Sequence, residues 1–323
     1  MDVATRETER DTHEFRTGAA SDRGFSVGIC ATGDIKNFEA LFGIVTSSAR
    51  ASGLRLNKII IVASACPPRL TARLRDLANR DNRFMIIAES ARHGKAEAIN
   101  KILENSQGEF VVFVNGDAVP EPGAIDKLLT TLRSDSCVGA VSAQPVFPAG
   151  RDSTSRLVEL MWTTHNESSL ELNHLNLSNH TSDELVAFRS SAVRRLPNGL
   201  VNDGAYLAGT ARKLGYSVKF CAPARVQIQT PSRIIDTIRQ RRRILFGHVQ
   251  VWQKVGMAPK TIELLLVLAP RTGFRLFVKT IARHPRFLTL LPLAMVTETP
   301  AAILAIWDSL SSTTRHIVWR RYS

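Results

Sequence analysis

The chain has 323 residues, of which 44% are hydrophobic and 22% charged, so it can bury a core for one large domain, or for one domain with an appendage. Its net charge of +13 is unevenly placed, because residues 212–323 hold 19 Lys or Arg against four acidic residues and the preceding residues sum to −2. There is no internal repeat or low-complexity segment, and this local excess predicts an anionic partner for the last third rather than general solubility.

Two features bear on the cellular compartment. Residues 1–24 are polar and mixed in charge, without the apolar segment of a signal peptide, so we expect a disordered tail. The cysteines lie far apart without a C-x-x-C pair, which disfavours a zinc site or a disulfide framework. We expect buried free thiols in a reducing, cytoplasmic compartment at Cys30, Cys66, Cys137 and Cys221.

From Phe25 onwards, short apolar runs alternate with amphipathic stretches. This alternation predicts an α/β fold with a mostly parallel central sheet flanked by helices, in which ligands bind beyond the carboxyl ends of the strands. The predicted strands are 25–30, 58–63, 83–89, 109–114 and 137–143, and the predicted helices lie near 36–51, 68–79, 95–106 and 122–133. Polar or loop residues follow three of these strands: Ala31, Thr32 and Asp34 the first, Ser64 the second, and Asn115 and Asp117 the fourth.

Regularity weakens after Phe147, but further elements can be predicted. They are a long helix near 153–175, strands at 185–190 and 217–222, a helix at 203–214 and a basic helix from about 232 to 253.

Residues 256–323 have a different pattern, which predicts basic amphipathic and apolar helices at a membrane interface. Residues 262–270 are strongly apolar, and residues 287–307 could cross a bilayer, but they contain Glu298 and two prolines, whereas a clean span needs about 20 predominantly apolar residues. We expect an interfacial or re-entrant segment at an anionic leaflet, and a spanning helix or an ordinary core helix are the alternatives. Between these runs, cations spaced by three or four residues form one helical stripe: Arg271, Arg275, Lys279, Arg283 and Arg286.

Asp117 is the candidate metal ligand. It follows a continuous apolar strand and precedes a turn that opens the next predicted helix. A carboxylate at this point could hold Mg²⁺ or Mn²⁺ against the phosphates of a donor. The alternative is a turn or helix-capping aspartate, since Asp is common in both places.

Arg92 and Lys95 precede a predicted helix whose N-terminus could meet phosphate oxygens. The dipeptide Gly94-Lys95 is not part of a P-loop, because Glu89 occupies the position where that motif requires its first glycine. The first strand does not lead into the dinucleotide-binding motif G-x-G-x-x-G either. These absences disfavour kinases, NTPases and dinucleotide enzymes. The alternative for Lys95 is an exposed helix residue.

Asp203 and the run Gln240–Arg243 complete the candidate site. A carboxylate at a helix start beside the sheet could act as a general base, although Asp203 could equally be an N-cap. Arginine binds phosphate bidentately, but three consecutive arginines point in different directions on a helix, so we select Arg243, with Gln240 one turn earlier. The alternative is a solvated or lipid-facing basic helix.

In combination, these segments resemble family 2 glycosyltransferases with the GT-A fold, from about Phe25 to a boundary near residue 255. "RHGKAEAIN" is similar to the family's R-x-G-K-x-x-A-x-N segment, "VNGDA" occupies the D-x-D position, "VNDGAYLA" contains the catalytic Asp203, and "QRRRI" resembles Q-x-x-R-W. The run from "AFRSSAVRRLP" to "QRRRILFGH" is similar to a membrane-associated, often archaeal, branch. The sequence departs from the pattern at Asn115, Asn202 and Ile244, where the family usually has Asp, Glu and Trp.

The resemblance implies an inverting glycosyltransferase that uses a UDP- or GDP-sugar and Mn²⁺ or Mg²⁺. The donor would bind Ala31, Thr32, Asp34, Ser64, Arg92, Lys95, Asn115, Asp117, Gln240 and Arg243, with the metal on Asp117 and Asp203 as base. The acceptor would be a lipid-linked or glycan hydroxyl, and the enzyme would lie at the cytoplasmic face of the cell membrane. A catalytically inactive membrane-bound nucleotide-sugar binding protein and a processive polysaccharide synthase are alternatives, whereas nucleic-acid binding is disfavoured because long aliphatic runs, not exposed aromatics, separate the cations.

Overall fold

The computed structural model describes residues 24–33, 35, 37–48, 53–311 and 313–318. The predicted N-terminal tail, residues 1–24, lies outside these ranges except for Gly24, which begins the first strand. The predicted donor-binding residue Asp34 also lies outside the described residues.

The first half of the chain forms the predicted parallel sheet. Its strands, in the spatial order β3-β2-β1-β4, pair in parallel throughout. They are β1 (Gly24–Thr32), β2 (Arg55–Ser64), β3 (Phe84–Glu89) and β4 (Phe110–Asn115). The intervening helices are α1 (Phe38–Ser48), α2 (Pro68–Arg80) and α3 (Lys95–Asn105). Each boundary falls within three residues of the predicted one.

The second half adds strands of both directions, so that the described residues form one eight-stranded mixed sheet with the order β3-β2-β1-β4-β7-β6-β8-β5. The strands are β5 (Val119–Pro120), β6 (Val138–Val146), β7 (Leu185–Arg189) and β8 (Ser217–Gln227). The helices are α4 (Ala124–Ser134), α5 (Ser153–His174), α6 (Asp203–Lys213) and α7 (Ile234–Val255). Strand β7 runs antiparallel to both β4 and β6, which places the start of β7 beside the end of β4.

The sheet is buried on both faces, which explains why its strands are continuous apolar runs rather than alternating ones. On β2, Ile59 and Ile61 join a core with α1, α2 and α4, whereas Ile60 and Val62 join a second core with α3, α6 and α7. Fully burying a side chain of this size contributes about 1.5–3 kcal/mol. The helices packed on both faces of the sheet therefore hold the loops at its edge in place.

All four cysteines are free thiols, as expected, but the expectation of burial is wrong, because Cys30, Cys66 and Cys221 are only half-buried and Cys137 is exposed. It lies in the turn between α4 and β6, where its backbone N–H donates to the Asp135 side chain. Its side chain is therefore outside the core that the strand buries.

Three helices follow α7, namely α8 (Ile262–Leu268), α9 (Pro270–Arg283) and α10 (Leu291–Leu310), with a 3-10 helix at Pro285–Leu290 before the last. Helix α9 packs against α5, and α10 packs against α7. The ion pair between Arg241 of α7 and Glu298 of α10 is 2.6 Å long, so the acidic residue in the apolar segment faces α7. The C-terminal helices are thus attached to the rest of the chain through polar as well as apolar contacts.

All five cations of the basic stripe are exposed, but three of them have acidic partners on α5. Lys279 pairs with Glu171 at 2.5 Å and Arg286 with Glu159 at 2.6 Å, and both partners belong to α5. Arg283 pairs with Glu167 of the same helix. The α5 carboxylates therefore neutralise part of the stripe, whereas Arg271 and Arg275 have no ion pair among the described residues.

Gly28 lies where β1, β4 and α3 meet. A methyl group added there would lie 2.3 Å from Ile102 Cγ2 and 3.2 Å from Phe113 Cδ1, so the core would have to shift. We expect Gly28→Ala to lower the free energy of unfolding by about 1–3 kcal/mol, the usual cost of overpacking. Chemical denaturation measures this change.

The matched control is Gly43→Ala in α1, where an added methyl group has no neighbour within 4 Å. Alanine is the better helix former by about 0.5–1 kcal/mol, so this variant should be more stable than the native chain. Shifts of the same sign in both variants would contradict the packing argument.

Candidate active site

Lys95 is the cation at the centre of the site. It is the first residue of α3, and the preceding Gly94 has a φ of 103°, a left-handed value that glycine accommodates readily. The Lys95 ammonium lies 2.9 Å from Asp203 Oδ2 and 3.8 Å from Asp183 Oδ2. Burial opposes the charge of Lys95, but the two carboxylates more than compensate and raise its pKa. The alternative of an exposed helix residue is therefore wrong.

Asp203 begins α6 but does not cap it. The cap is Asn202, whose side-chain oxygen accepts from the Ala205 N–H at 3.2 Å. Asp203 is 5% exposed, and its second oxygen, Oδ1, has no hydrogen-bond partner among the described residues. One oxygen of this buried carboxylate thus pairs with Lys95, while the other is available to a proton donor.

The protonation of Asp203 is set by opposing effects. Burial, followed by the charge of Asp183, raises the pKa of Asp203 to about 6, although Lys95 lowers it by its charge and its hydrogen bond. A carboxylate with a pKa of about 6 is ionised at neutral pH, yet it is a stronger base than an exposed aspartate.

Asp117 and Glu184 form a second acidic group near the end of β4. Asp117 is exposed in the loop after Asn115, and Asn115 Nδ2 donates to Glu184 Oε2 at 2.9 Å. Burial and the neighbouring charge of Asp117 raise the pKa of Glu184 to about 7, although Asn115 opposes this. Asn115, in the position usually held by an acid, therefore orients a carboxylate that directly precedes the neighbouring strand β7.

The other predicted donor residues have mixed surroundings. Thr32 and Ser64 end β1 and β2 and are register partners, so both lie at the same edge of the sheet as Asn115, beside buried Ala31. The Ser64 hydroxyl donates to Glu89, which also pairs with Lys101. Arg92 is half-buried in the loop before α3.

The three consecutive arginines of α7 have different partners, as their directions on a helix predict. Arg241 pairs with Glu263 and Glu298, and Arg242 forms two hydrogen bonds, of 2.5 and 2.6 Å, with Asp308. Arg243 donates instead to the backbone carbonyls of Val201 and His316, each at 3.3 Å. Structural ion pairs therefore engage the first two arginines. The predicted phosphate ligand Arg243 lies beside the loop at Val201, with half-buried Gln240 one turn earlier.

The C-terminal segment passes over the same loops. An added methyl group at Gly94 would lie 3.0 Å from Ile317 Cγ2, and one at Gly199 would lie 3.2 Å from Ile317 Cδ1. The segment at 313–318 therefore lies against the loop that precedes Lys95 and the loop that precedes α6.

The comparison with protein-family models matches the chain to the family described as Glycosyl transferase family 2 over residues 35–196, which is half of its length. The chain belongs to glycosyl transferase family 2. A mannosyltransferase from Pyrobaculum calidifontis, in complex with GDP-Man and Mn²⁺, is similar with a TM-score of 0.57 at 17% identity, over 94% of this chain and 92% of that chain. This likeness confirms the predicted GT-A fold.

Glucosyl-3-phosphoglycerate synthase from Mycobacterium tuberculosis, in complex with Mn²⁺, uridine diphosphate and phosphoglyceric acid, has a TM-score of 0.48 at 17% identity, over 74% of this chain and 80% of that chain. No match was found among curated protein sequences.

The acidic residues near β4 fit a divalent cation that substrate helps to bind. The charge of Asp117 disfavours ionisation of Glu184, and a cation between the two carboxylates would relieve this repulsion. Among the described residues, no group of three or more His, Cys, Asp or Glu side chains could hold a metal alone. Mg²⁺ is commonly held by one or two carboxylates together with substrate phosphates, which is the arrangement that these residues permit.

Sequence reasoning missed the acidic pair Asp183-Glu184. Asp183 Oδ1 accepts from the Gly204 N–H at 3.0 Å, while Glu184 hydrogen-bonds to Asn115, so the pair links α6 to the end of β4. The available signal was two consecutive acids directly before the apolar strand "LVAFR". Their importance depends on the antiparallel direction of β7, which the sequence pattern does not specify.

Proposed function

We propose that this chain is an inverting glycosyltransferase that moves a sugar from a UDP- or GDP-sugar to a hydroxyl acceptor. The observation that carries the proposal is the buried Asp203 carboxylate, with one oxygen on Lys95 and the other without a partner in the described part of the chain. It lies near the loops that follow β1, β2 and β4, where ligands bind in α/β sheets. The GDP-Man in the similar mannosyltransferase structure supports including guanosine donors.

In this mechanism, Asp203 accepts the proton of the acceptor hydroxyl while the hydroxyl oxygen attacks the anomeric carbon. The bond between that carbon and the diphosphate oxygen breaks, and the nucleoside diphosphate leaves with the electron pair. Lys95 keeps Asp203 ionised before the attack and is close enough to the loop after β1 to attract the departing diphosphate. A positioned base of this kind contributes about 10²–10⁴ in rate.

A divalent cation fits the proposal, with Asp117 as its ligand and Glu184 close by. When bound, Mn²⁺ or Mg²⁺ would neutralise the charge that develops on the departing diphosphate. Asn115 orients Glu184 through a 2.9 Å hydrogen bond and so contributes to this site without being an acid.

We also propose that the C-terminal helices lie on an anionic lipid surface at the cytoplasmic face of the cell membrane. The segment Pro285–Leu310 is long and apolar enough to cross a membrane. Its most apolar 18-residue stretch has a mean hydropathy of 1.6, and only 22% of that stretch is buried in the protein. Apolar side chains are exposed along α8 to α10, among them Val267, Phe274, Met295, Val296, Ile303, Trp307 and Leu310. The exposed cations Arg271 and Arg275 flank Phe274, which favours an anionic headgroup layer over a protein partner.

The inactive binding protein remains an alternative because Asn115 and Asn202 replace acids. Each amide has a local role, however, since Asn115 orients Glu184 and Asn202 caps α6. A processive synthase is the lesser alternative, because the described residues contain a single helix that is both long and apolar enough to span a membrane.

Asp203→Asn tests the proposed base. We expect it to lower the rate of nucleoside diphosphate release from the active UDP- or GDP-sugar, in the presence of Mn²⁺ or Mg²⁺, by about 10²–10⁴. Donor affinity should change by less than about threefold, because asparagine keeps the shape of the side chain.

The matched control is Asp76→Asn on the exposed surface of α2. It should have native activity. A fully active Asp203→Asn enzyme would assign the base to another residue.

The pH dependence of kcat/KM should report Asp203. Because the ionised form is the base and its pKa is about 6, activity should fall as the pH is lowered through this value. Lys95 lowers the pKa of Asp203, so Lys95→Met should move the acidic limb to higher pH as well as reduce the maximal rate. An acidic limb at the same pH in Lys95→Met would contradict the pairing of these two residues.

Vesicle sedimentation tests the membrane proposal. The native chain should bind vesicles that contain phosphatidylglycerol more strongly than pure phosphatidylcholine vesicles. Val296→Asp and Ile303→Asp, at exposed positions of α10, should each weaken binding about tenfold or more, because a buried apolar side chain contributes about 1.5–3 kcal/mol.

Ser134→Asp, at an exposed position of α4, has the same charge change and should bind normally. Unchanged vesicle binding in both α10 variants would refute the proposal, and a dimer that these substitutions dissociate would assign the surface to a second copy of the chain.

A further inference from the structure

A cavity of about 140 Å³ lies beside the candidate active site, between α5, the segment before β7, α7 and the start of α8. A single water needs at least about 10–15 Å³ of such space, so the cavity can hold a ligand of several non-hydrogen atoms. Its lining combines apolar residues such as Val158 and Ile244 with polar side chains.

His248 of α7 is the least satisfied side chain in this lining. It is 3% exposed, and neither Nδ1 nor Nε2 has a hydrogen-bond partner among the described residues. Leaving a buried polar group unpaired costs about 1–3 kcal/mol, so buried groups of this kind are normally paired. An unpaired imidazole in the wall of a cavity is therefore evidence for a ligand that supplies the missing hydrogen bonds.

The cavity adjoins the candidate active site through three shared neighbours. Asp183, Glu184 and Asn202 all belong to its lining. Asp183 Oδ2 lies 3.8 Å from the Lys95 ammonium, and Asn202 directly precedes Asp203. A ligand in the cavity would thus contact the residues on either side of the Lys95–Asp203 pair, although Asp203 itself is not part of the lining.

The polar wall of the cavity is suited to hydroxyl groups. The rings of His165, His180 and His248 stack edge to face, with centroid distances of 5.7 and 5.2 Å, and Trp162 extends the row. Burial lowers the pKa of His165 and His180 to about 3 and that of His248 to about 4, so all three are neutral at physiological pH. A neutral imidazole has one donor and one acceptor nitrogen, which matches a hydroxyl that both donates and accepts.

The charges in the lining disfavour an anionic ligand. Three carboxylates line the cavity, Asp183, Glu184 and Glu263, against one cation, Arg241. Glu263 and Glu298 both pair with that arginine. A phosphate or carboxylate in the cavity would therefore meet like charges and would have to displace an existing ion pair.

We propose that this cavity is the acceptor subsite and that it takes a neutral, hydroxyl-rich group such as a sugar ring of a glycan, with His248 positioning one hydroxyl. The role of the subsite in transfer rests on the proposed function, whereas ligand binding itself does not. This assignment makes His248 and the acidic lining determinants of acceptor specificity.

Equilibrium binding tests the proposal without any catalysis. Methyl glucoside and methyl mannoside would be compared with their 6-phosphates by saturation-transfer NMR and calorimetry on the full chain. We expect at least one neutral glycoside to bind and its 6-phosphate to bind at least about tenfold more weakly, a difference of about 1.4 kcal/mol. Failure of every neutral glycoside to bind, or preference for the phosphates, would overturn the proposal.

Three variants locate the site. His248→Phe should weaken glycoside binding about tenfold, since it removes both ring nitrogens, whereas His174→Phe on the exposed end of α5 should not. Met161→Trp narrows the half-buried rim of the cavity without altering its buried hydrogen bonds, so it should also weaken glycoside binding. This variant tests the location of the site even if His248→Phe does not fold. Native binding in the folded variants would overturn the assignment.

Donor turnover then separates the two proposals. Hydrolysis of the nucleotide-sugar by water depends on Asp203 and should be unchanged in the control variant His174→Phe, while the KM for a glycoside acceptor should rise about tenfold in His248→Phe. Glycoside binding without any donor turnover would support the cavity assignment and refute the proposed transferase. Donor turnover together with an unchanged acceptor KM in His248→Phe would support the proposed transferase and refute the cavity assignment.

Discussion

The site depends on one buried ion pair, between Lys95 at the start of α3 and Asp203 at the start of α6. Burial alone would neutralise either group, since an isolated charge in a protein interior is unfavourable by several kcal/mol. Together they remain charged, and Asp183 adds a second carboxylate that favours the lysine but disfavours ionisation of Asp203. The result is an aspartate that is ionised at neutral pH but has a raised pKa. A general base requires both properties, because it must be unprotonated and yet basic enough to accept a proton. Because each partner begins a helix, the packing of α3 and α6 against the sheet fixes the distance between them.

The direction of β7 explains why the acidic residues converge. Parallel strands alone would bring only residues that follow strands to this edge of the sheet. Since β7 is antiparallel to β4, the residues that precede β7 lie there too, and the Asn115 N–H donates to the Glu184 carbonyl at 3.1 Å. Asp183 and Glu184 then lie between Asp117 on one side and Asp203 on the other, and they also line the neighbouring cavity. A single reversed strand thus joins the metal-ligand candidate, the base and the proposed acceptor subsite.

The sequence was sufficient for the features that local pattern determines. Continuous apolar runs predicted the strands because both faces of the sheet are buried, and Lys95, Asp117 and Asp203 were identified because each stands at the end of a strand or the start of a helix. The sequence could not predict which side chains pair between segments that lie far apart in the chain. The acids of α5 that neutralise Lys279, Arg283 and Arg286 lie more than 100 residues earlier, and nothing in either segment specifies its partner. The row of histidines was missed for the same reason, since His165, His180 and His248 belong to three separate segments.

The distribution of positive charge has a consequence for how the C-terminal helices are held. Their excess of cations suggested a surface directed entirely at an external anion, but Arg241 and Arg242 point inward and connect α7 to Glu263, Glu298 and Asp308. Glu298 and Asp308 belong to the apolar helix α10, so the acids that interrupt its hydropathy are the groups that attach it to the catalytic half. Arg243 follows in the same helix and contacts the loops around Val201 and His316. Helix α7 therefore carries both the ion pairs that hold α10 and the contact with the loop that precedes Asp203.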